Sequence, residues 1–376
     1  MFSIYSGTNV LHHPDAEDPD CVALEAKLSE ELNTHGSFDG VFTNPHNLWI
    51  RSPLEVYDED GLIWRGRVLS IENGLDTRKT VHGEGALSFL CDTIIRPFAF
   101  RGRPNDYTNN GATVKGLFHH FIDIHNSQLD NDDPRRFTVG DITVTDPNDY
   151  IYRSSESAMT TWEAIQTRLI DTLGGYIVLS GENLNVINYV SDFNHTSLQP
   201  IEFGENLVDL LQTDDSSDIV THLYAYGAKI ESGTGHENDP NPDDDEYITW
   251  NGSRLFTAVY LQAAINKWGD ITGTHTWDDI TVQANLETAA DKYLADIYAA
   301  HVEALDVKAA DLSLIDVSVD KINVGDYVQV RCDPLGLDLT MLCMRKETDL
   351  IDVSQTRVSI GRVPATISSM AGGSSK

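Results

Sequence analysis

Lysine and arginine are scarce in this chain. Its 376 residues hold 26 of them against 59 aspartates and glutamates, a formal charge of −33. Phosphate contacts need clustered cations, so general nucleic-acid binding is excluded and docking on an anionic membrane is disfavoured. Long apolar runs are missing too. No segment approaches the roughly 20 apolar residues that span a bilayer. The opening Met1-Phe2-Ser3-Ile4-Tyr5 has no basic stretch leading into an apolar one, so no signal peptide is expected. Cysteine is rare: Cys21, Cys91, Cys332 and Cys343 show no Cys-x-x-Cys spacing and read as buried thiols.

Catalytic signatures are absent as well. Without a Gly-Lys dipeptide no phosphate-cradling loop can be written. His236-Glu237 comes nearest to a zinc-protease motif, but Pro240 stands where the second histidine belongs. No Gly-x-Ser-x-Gly elbow occurs. His119, His120 and His125 could suggest a metal cluster, yet helical spacing puts His125 with Phe118 and Phe121 and turns His119 away. They read as one interfacial and two surface histidines. The acidic runs at Asp214-Asp215-Ser216-Ser217-Asp218 and Asp243-Asp244-Asp245-Glu246 lack the calcium-loop spacing and read as solvated loops. Asn194-His195-Thr196 and Asn251-Gly252-Ser253 fit the glycosylation pattern, which matters only where a chain meets that machinery. No catalytic, cofactor-binding or metal residue is assigned. A chain this long without such chemistry is expected to be a structural or binding component rather than an enzyme.

What is present is a globular composition, with 40% hydrophobic, 23% charged and 9% aromatic residues. Aspartate outnumbers glutamate 40 to 19 while lysine falls to 10. Solubility alone does not need that bias. It reads either as adaptation to very high salt, where self-repulsion is screened within about 3 Å at 1 M, or as an ordinary acidic protein with Asp-rich turns.

The expected fold class is α+β and mostly β. Val22, Leu24, Ala26 and Leu28 alternate like a half-buried strand, with a helix as competitor because Leu24, Leu28 and Leu32 are spaced by four. Leu54 to Tyr57, an acidic Asp-Gly turn and Leu62 to Val68 predict a hairpin with Leu62, Trp64 and Val68 on one face and Arg65 and Arg67 on the other. Lys79 to Glu84 predicts a strand and Leu87 to Ile95 a helix that stops before Pro97. Thr113 is placed to cap a helix through His125. A second helix runs from Thr160 to Leu173 and stops at Gly174-Gly175. Tyr176 to Leu179 and Leu184 to Tyr189 flank a turn. Later come strands at Ile201 to Phe203, Ile219 to Tyr226, Leu305 to Ala309, Tyr327 to Arg331, Leu339 to Met344 and Arg357 to Ile360. A helix through Leu286, Ala290, Leu294 and Ile297 interrupts them.

The segmentation that follows is a first β-barrel-like domain over 1–97 and an α+β middle domain over 98–195. A second β-barrel-like domain covers 196–363 with an inserted helical segment at about 253–301, and 364–376 is a flexible tail.

Three segments carry a family likeness. Leu54 to Val68, with Ile63-Trp64-Arg65-Gly66-Arg67-Val68, is the first. Glu84-Gly85-Ala86-Leu87-Ser88-Phe89-Leu90-Cys91-Asp92-Thr93-Ile94-Ile95-Arg96-Pro97 is the second. The third is Asn323-Val324-Gly325-Asp326-Tyr327-Val328-Gln329-Val330 with Leu350 and Val358-Ser359-Ile360-Gly361. Together with Trp162 to Val178 and Thr221-His222-Leu223-Tyr224-Ala225-Tyr226-Gly227, they resemble the hub proteins of viral tail tips and baseplates. The likeness is to the N-terminal hub region of the prophage endopeptidase tail, or tail-associated lysin, family.

The resemblance implies a homotrimer in which each subunit supplies two similar barrels. Six barrels would then face the six-fold tail tube and a three-fold face would meet a spike or tail fibre. The implied partners are distal tail or tube proteins, the tape-measure protein and the spike or fibre. DNA would pass through the channel without specific binding, and no cofactor is implied. The implied location is the virion tail tip, after assembly in the host cytoplasm. Family lysins carry their wall-cutting domain after the hub, and Pro364 to Lys376 is too short for one. The rival readings are an envelope-degrading peptidase or glycosidase and an isolated cell-surface-binding module.

Overall fold

The computed structural model describes residues 1–18, 21–43, 48–75, 78–100, 113–146, 151, 154–212, 219–229, 254–278, 280–302, 305–314, 316 and 318–361. The acidic runs 214–218 and 243–246, His236 to Pro240, the polar loop 102–111, the 251–253 sequon and the tail 364–376 lie outside the described residues. One compact unit holds residues 1–146, 151–210 and 306–361, and a second is centred on 211–305.

The chain is α+β and mostly β, as its patterning implies. In the first unit β1 (Ser3–Ser6), β2 (Asn9–His12), β3 (Ala23–Glu31), β4 (Ser37–Phe42), β5 (Pro53–Tyr57), β6 (Leu62–Asn73) and β7 (Lys79–Gly85) lie in the order β3-β4-β7-β6-β5-β1-β2, all antiparallel. Their inward side chains, among them Phe38, Phe42, Leu54, Val56, Trp64 and Val81, close on a single core. β3 settles the helix-or-strand ambiguity as a strand. A bulge between Ala23 and Glu25 shifts its register, so Leu24 faces out while Ala23, Ala26 and Leu28 face in. The β5–β6 hairpin turns where expected. Asp58 Oδ1 accepts from the amides of Asp60 (2.8 Å) and Gly61 (3.1 Å), and Gly61 sits at φ +135°.

The sheet does not stop at β3. The strand Leu337–Asp349 pairs antiparallel with β3 through Arg345 to Asp349, and the strands Arg357–Ile360, Leu305–Ala309 and Leu207–Gln212 follow beyond it. Leu337 to Leu342 pairs instead with Tyr327–Cys332, which is parallel to Ile201–Glu202. Thirteen of the described strands therefore form one hydrogen-bonded sheet. β6 and Leu337–Asp349 share a feature: each is long and uses its two halves to pair with different neighbours.

Between these strand sets in the sequence lies a mixed α+β segment. Thr113 caps the helix Val114–Ser127 by accepting from the Gly116 amide at 3.0 Å. Leu117, Phe118, Phe121 and Ile122 are buried against the sheet Thr138–Ile142, Val186–Val190 and Tyr176–Ser180. The second helix starts at Thr161 behind its Thr160 cap and contains a π turn over Gln166–Ile170. That wider turn lets neighbouring Leu169 and Ile170 both face the core. Gly174 and Gly175 end it at φ +74° and +86°.

Leu87 to Ile95 departs from the expected α-helix. A 3₁₀ helix spans Ala86–Asp92 and a two-residue strand, Ile94–Ile95, follows. Five consecutive residues, Ala86 to Leu90, are buried, and one α-helical stripe cannot bury every successive residue.

In the second unit the strands Arg254–Tyr260, His222–Lys229 and Thr272–Thr276 form a sheet. The helix Gln283–Val302 packs Leu286, Ala290 and Leu294 onto Leu223, Ala225 and Val259. Buried Thr221 fixes the entry to this sheet, donating to Gly269 O (2.9 Å) and accepting from the Ile271 amide (2.7 Å). No described helix is long and apolar enough to cross a membrane.

Candidate functional site

The family-like segments of the first strand set converge on one cluster. Buried Arg67 donates from Nε to Glu84 Oε1 at 2.7 Å, from Nη1 to Asp92 and from Nη2 to Ser88 O at 3.3 Å. Asp92 also receives Arg135 Nη1 (3.0 Å) and Arg51 Nη1 (3.1 Å), and Arg135 pairs with Asp133 at 2.7 Å. Burial alone would raise the Asp92 carboxyl, but the guanidiniums win and hold it below the usual carboxylate range. Gly66 is obligatory beside this cluster, since a Cβ there would lie 2.2 Å from Glu84 O. The cluster ties β6 and β7 to the 3₁₀ helix and to the segment around residue 135. Arg65 and Arg67 lie on the face opposite Trp64 and Val68, and there Arg67 is buried and Arg65 half-buried, over the rings of Phe89 and Phe137.

A cleft of about 430 Å³ lies here, bordered by Arg51, Arg65, Arg67, Phe89 and Arg135. Its arginines are matched by Glu55, Glu84, Asp92 and Asp133, so it has no excess charge to seize an anion. Among the described residues, no nucleophile with an adjacent base lines it.

His125 is buried, as its spacing implied. Its Nε2 donates to Arg135 O (2.9 Å), which leaves Nδ1 to accept from Thr93 Oγ1 (2.7 Å), itself 2.8 Å from Thr161 Oγ1. Burial lowers its pKa, consistent with this neutral tautomer. His120 differs from the surface position expected of it. It packs edge-on against Phe98 and Phe100, and burial lowers its pKa. Among the described residues no group of three or more His, Cys, Asp or Glu is placed to hold a metal. The four cysteines are free. Cys332 and Cys343 are buried, and burial pushes the Cys343 thiol up to about 12, which makes it inert.

A second cluster lies where the two strand sets join. Lys346 Nζ donates to Asp311 Oδ2 (2.8 Å) and Ile322 O (2.7 Å). Asp311 Oδ1 accepts from Gln199 Nε2 (3.0 Å), the Ser313 amide (3.1 Å) and the Ser313 hydroxyl (2.6 Å). Lys346 stands opposite Glu30 of β3 across the seam. Sequence reasoning singled out none of these residues, because Lys346 lies 24 positions from Ile322 and 35 from Asp311, and Gln199 lies 112 from Asp311. The third family-like segment has a local role. Gly325 is at φ +94°, where a Cβ would meet the Phe193 ring at 2.7 Å. Asp326 accepts from the Asn323 amide at 2.7 Å and contacts His195 Nδ1 at 2.8 Å.

Burial pushes the Glu30 carboxyl up from 4.5 to about 7, against the pull of Lys346. Below pH 4.5 the residue is protonated in both folded and unfolded chains. As pH climbs towards 7 the unfolded chain releases the proton and the folded one keeps it, so stability falls over that window and levels off above it. Glu30→Gln is therefore expected to be more stable than wild type by about 1–3 kcal/mol at pH 8 and indistinguishable from it at pH 4. Urea unfolding at the two pH values checks this. An equal difference at both would show that the carboxyl does not titrate as argued.

Residues 195–371 match the family model described as "Prophage endopeptidase tail". The fold is shared with prophage tail protein gp18 from Listeria monocytogenes EGD-e, at 15% identity and TM-score 0.60, covering 98% of this chain and 97% of that one. It is shared with the 43 kDa tail protein of prophage MuSo2 from Shewanella oneidensis, at 13% identity and TM-score 0.64, covering 96% and 98%. The tail protein from Neisseria meningitidis MC58 matches at 15% identity and TM-score 0.62, covering 96% of each chain. No curated protein matches. These likenesses bear out the family resemblance read from the sequence.

Proposed function

We propose that this chain is a structural hub of a viral tail tip or baseplate. Three copies would form a ring that adapts a six-fold tube to a three-fold spike or fibre and encloses the channel for the genome. The observation that carries this reading is the single sheet joining two strand-rich halves, in a fold shared along almost its whole length with prophage tail proteins. The halves correspond to the proposed barrels at 1–97 and 196–363, separated by the 98–195 layer. Their long two-partner strands, β6 and Leu337–Asp349, support treating them as equivalents.

In this reading the ion clusters hold strands to helices rather than perform chemistry, and the role is not enzymatic. Distal tube proteins, the tape-measure protein and a spike or fibre are the proposed partners. The −33 charge suits a lumen that releases DNA rather than binding it, and an environment of molar salt. The reading is tested by the mass of the purified chain in about 2 M salt, where three copies are expected. The same measurement near 0.1 M salt is expected to give dissociated or unfolded chains, because unscreened repulsion opposes contact. A monomer at every salt concentration overturns the hub reading.

A further inference from the structure

The sheet of the second unit has two unlike faces. Leu223, Ala225 and Val259 point to the helix Gln283–Val302, so strand alternation sends their neighbours to the opposite face. The pairing registers set those neighbours in three rows across the strands. Tyr260, His222 and Thr272 form the first row, Ala258, Tyr224 and Thr274 the second, and Phe256, Tyr226 and Thr276 the third. Each of these side chains is exposed or half-exposed, Tyr260 at 63% and Tyr224 at 38%.

The rings of this face touch in an unbroken chain. Between centroids, His222 lies 6.3 Å from Tyr260 and 5.3 Å from Tyr224. Tyr224 lies 5.9 Å from Phe256, and Phe256 5.4 Å from Tyr226. The exposed hydroxyls of Thr272, Thr274 and Thr276 run alongside on the outer strand. At about 3.3 Å per residue and about 4.8 Å between strands, the platform measures roughly 13 by 10 Å. That is room for a short oligomer rather than a single small ring. Cross-strand pairing of aromatics stabilises a sheet, but it does not call for a tyrosine as bare as Tyr260.

Charge narrows the choice of ligand. The three rows hold no carboxylate, lysine or arginine, in a chain of charge −33. Exposed acids stand next to them: Asp270, 3.6 Å from His222 Nδ1, and Asp278. Arg254 is already engaged, donating from Nη1 to Asp278 Oδ1 (2.5 Å) and Gly227 O (3.1 Å). A phosphate, sulfate or carboxylate polymer would be repelled here. The apolar core of a protein partner finds no aliphatic side chain beyond Ala258, because the others face the helix. What the face offers is flat rings beside a line of hydroxyls. Rings cover the C–H face of a sugar, and threonine hydroxyls can both donate to and accept from its hydroxyls.

We propose that this face binds an uncharged oligosaccharide, its sugar rings laid over Tyr260, Tyr224 and Phe256 and its hydroxyls turned to Thr272, Thr274 and Thr276. The site lies within one chain, so it goes beyond the hub reading and does not depend on how many copies assemble. The test presents the whole chain, in 2 M salt, with an array of uncharged tetrasaccharides of glucose, mannose, galactose or N-acetylglucosamine in α and β linkages. Tetragalacturonate serves as the acidic control. At least one uncharged tetrasaccharide is expected to bind, and tetragalacturonate is not. Tyr224→Ala and Tyr260→Ala should each weaken binding about 10-fold, and Thr274→Val, which keeps the shape but loses the hydroxyl, about 5-fold. Tyr260 and Thr274 are exposed, so these two variants should melt within about 2 °C of wild type and keep the test valid if Tyr224→Ala fails to fold. Trp49→Ala, at an exposed aromatic of the first unit, should leave binding unchanged. No bound tetrasaccharide at about 5 mM, equal binding of tetragalacturonate, or wild-type affinity in Tyr260→Ala and Thr274→Val overturns the proposal.

Discussion

Lys346→Ala is expected to lower folding stability by about 3–5 kcal/mol. The lysine is buried and its partner Asp311 has no exposed side-chain surface. Removing the ammonium leaves Asp311 Oδ2 without a donor in a site that water does not reach, while Oδ1 keeps Gln199 and Ser313. Glu30 opposite would lose its only named cation, so its carboxyl should rise further. Both effects fall on the seam between the strand sets. Equilibrium urea unfolding in constant molar salt measures the loss. A companion variant, Lys346→Met with Asp311→Asn, removes both charges and should recover more than half of it, since the penalty comes from the stranded carboxylate. A loss below about 1 kcal/mol for the single variant would mean the pair is solvated in solution.

Arg67→Ala should cost about 3 kcal/mol, and Arg67→Lys about half of that. The guanidinium reaches Glu84, Asp92 and Ser88 O from three separate nitrogens, and a lysine ammonium cannot cover that spread. Asp92 still keeps Arg135 and Arg51, which limits the loss. Glu84 does not keep a guanidinium at hydrogen-bonding distance, and the Phe89 ring loses the cation 5.4 Å from its centroid. Thermal melts of the three proteins give the order directly. Equal stability of the lysine variant and wild type would show that charge, not the forked geometry, matters here.

The contrast between what the residues announced and what they concealed has a physical basis. The β5–β6 hairpin, the Thr113 cap, the Gly174-Gly175 stop and the strand Arg357–Ile360 all rest on local rules, and all form. The alternation groups Leu24 with Ala26 and Leu28, and the bulge between Ala23 and Glu25, in the pairing with β4, turns it outward instead. The 3₁₀ helix at Ala86–Asp92 is a tertiary outcome of burying five successive residues, which no periodicity encodes. The ion clusters were illegible for another reason. With 59 acids to choose from, nothing in the sequence marks Asp92 or Asp311 as the buried ones. The likeness to tail hubs did flag Gly66, Arg67, Glu84 and Asp92 as a pattern, and the structure supplies its reason: those residues meet.

The proposed hub requires three copies of a two-barrel chain to imitate a hexagon. Imaging the purified ring at molar salt tests it most directly. Three chains, six barrel lobes around an open channel and three-fold symmetry on the opposite face are the expected result. A ring of six chains, or particles holding a single chain with no channel, would contradict it.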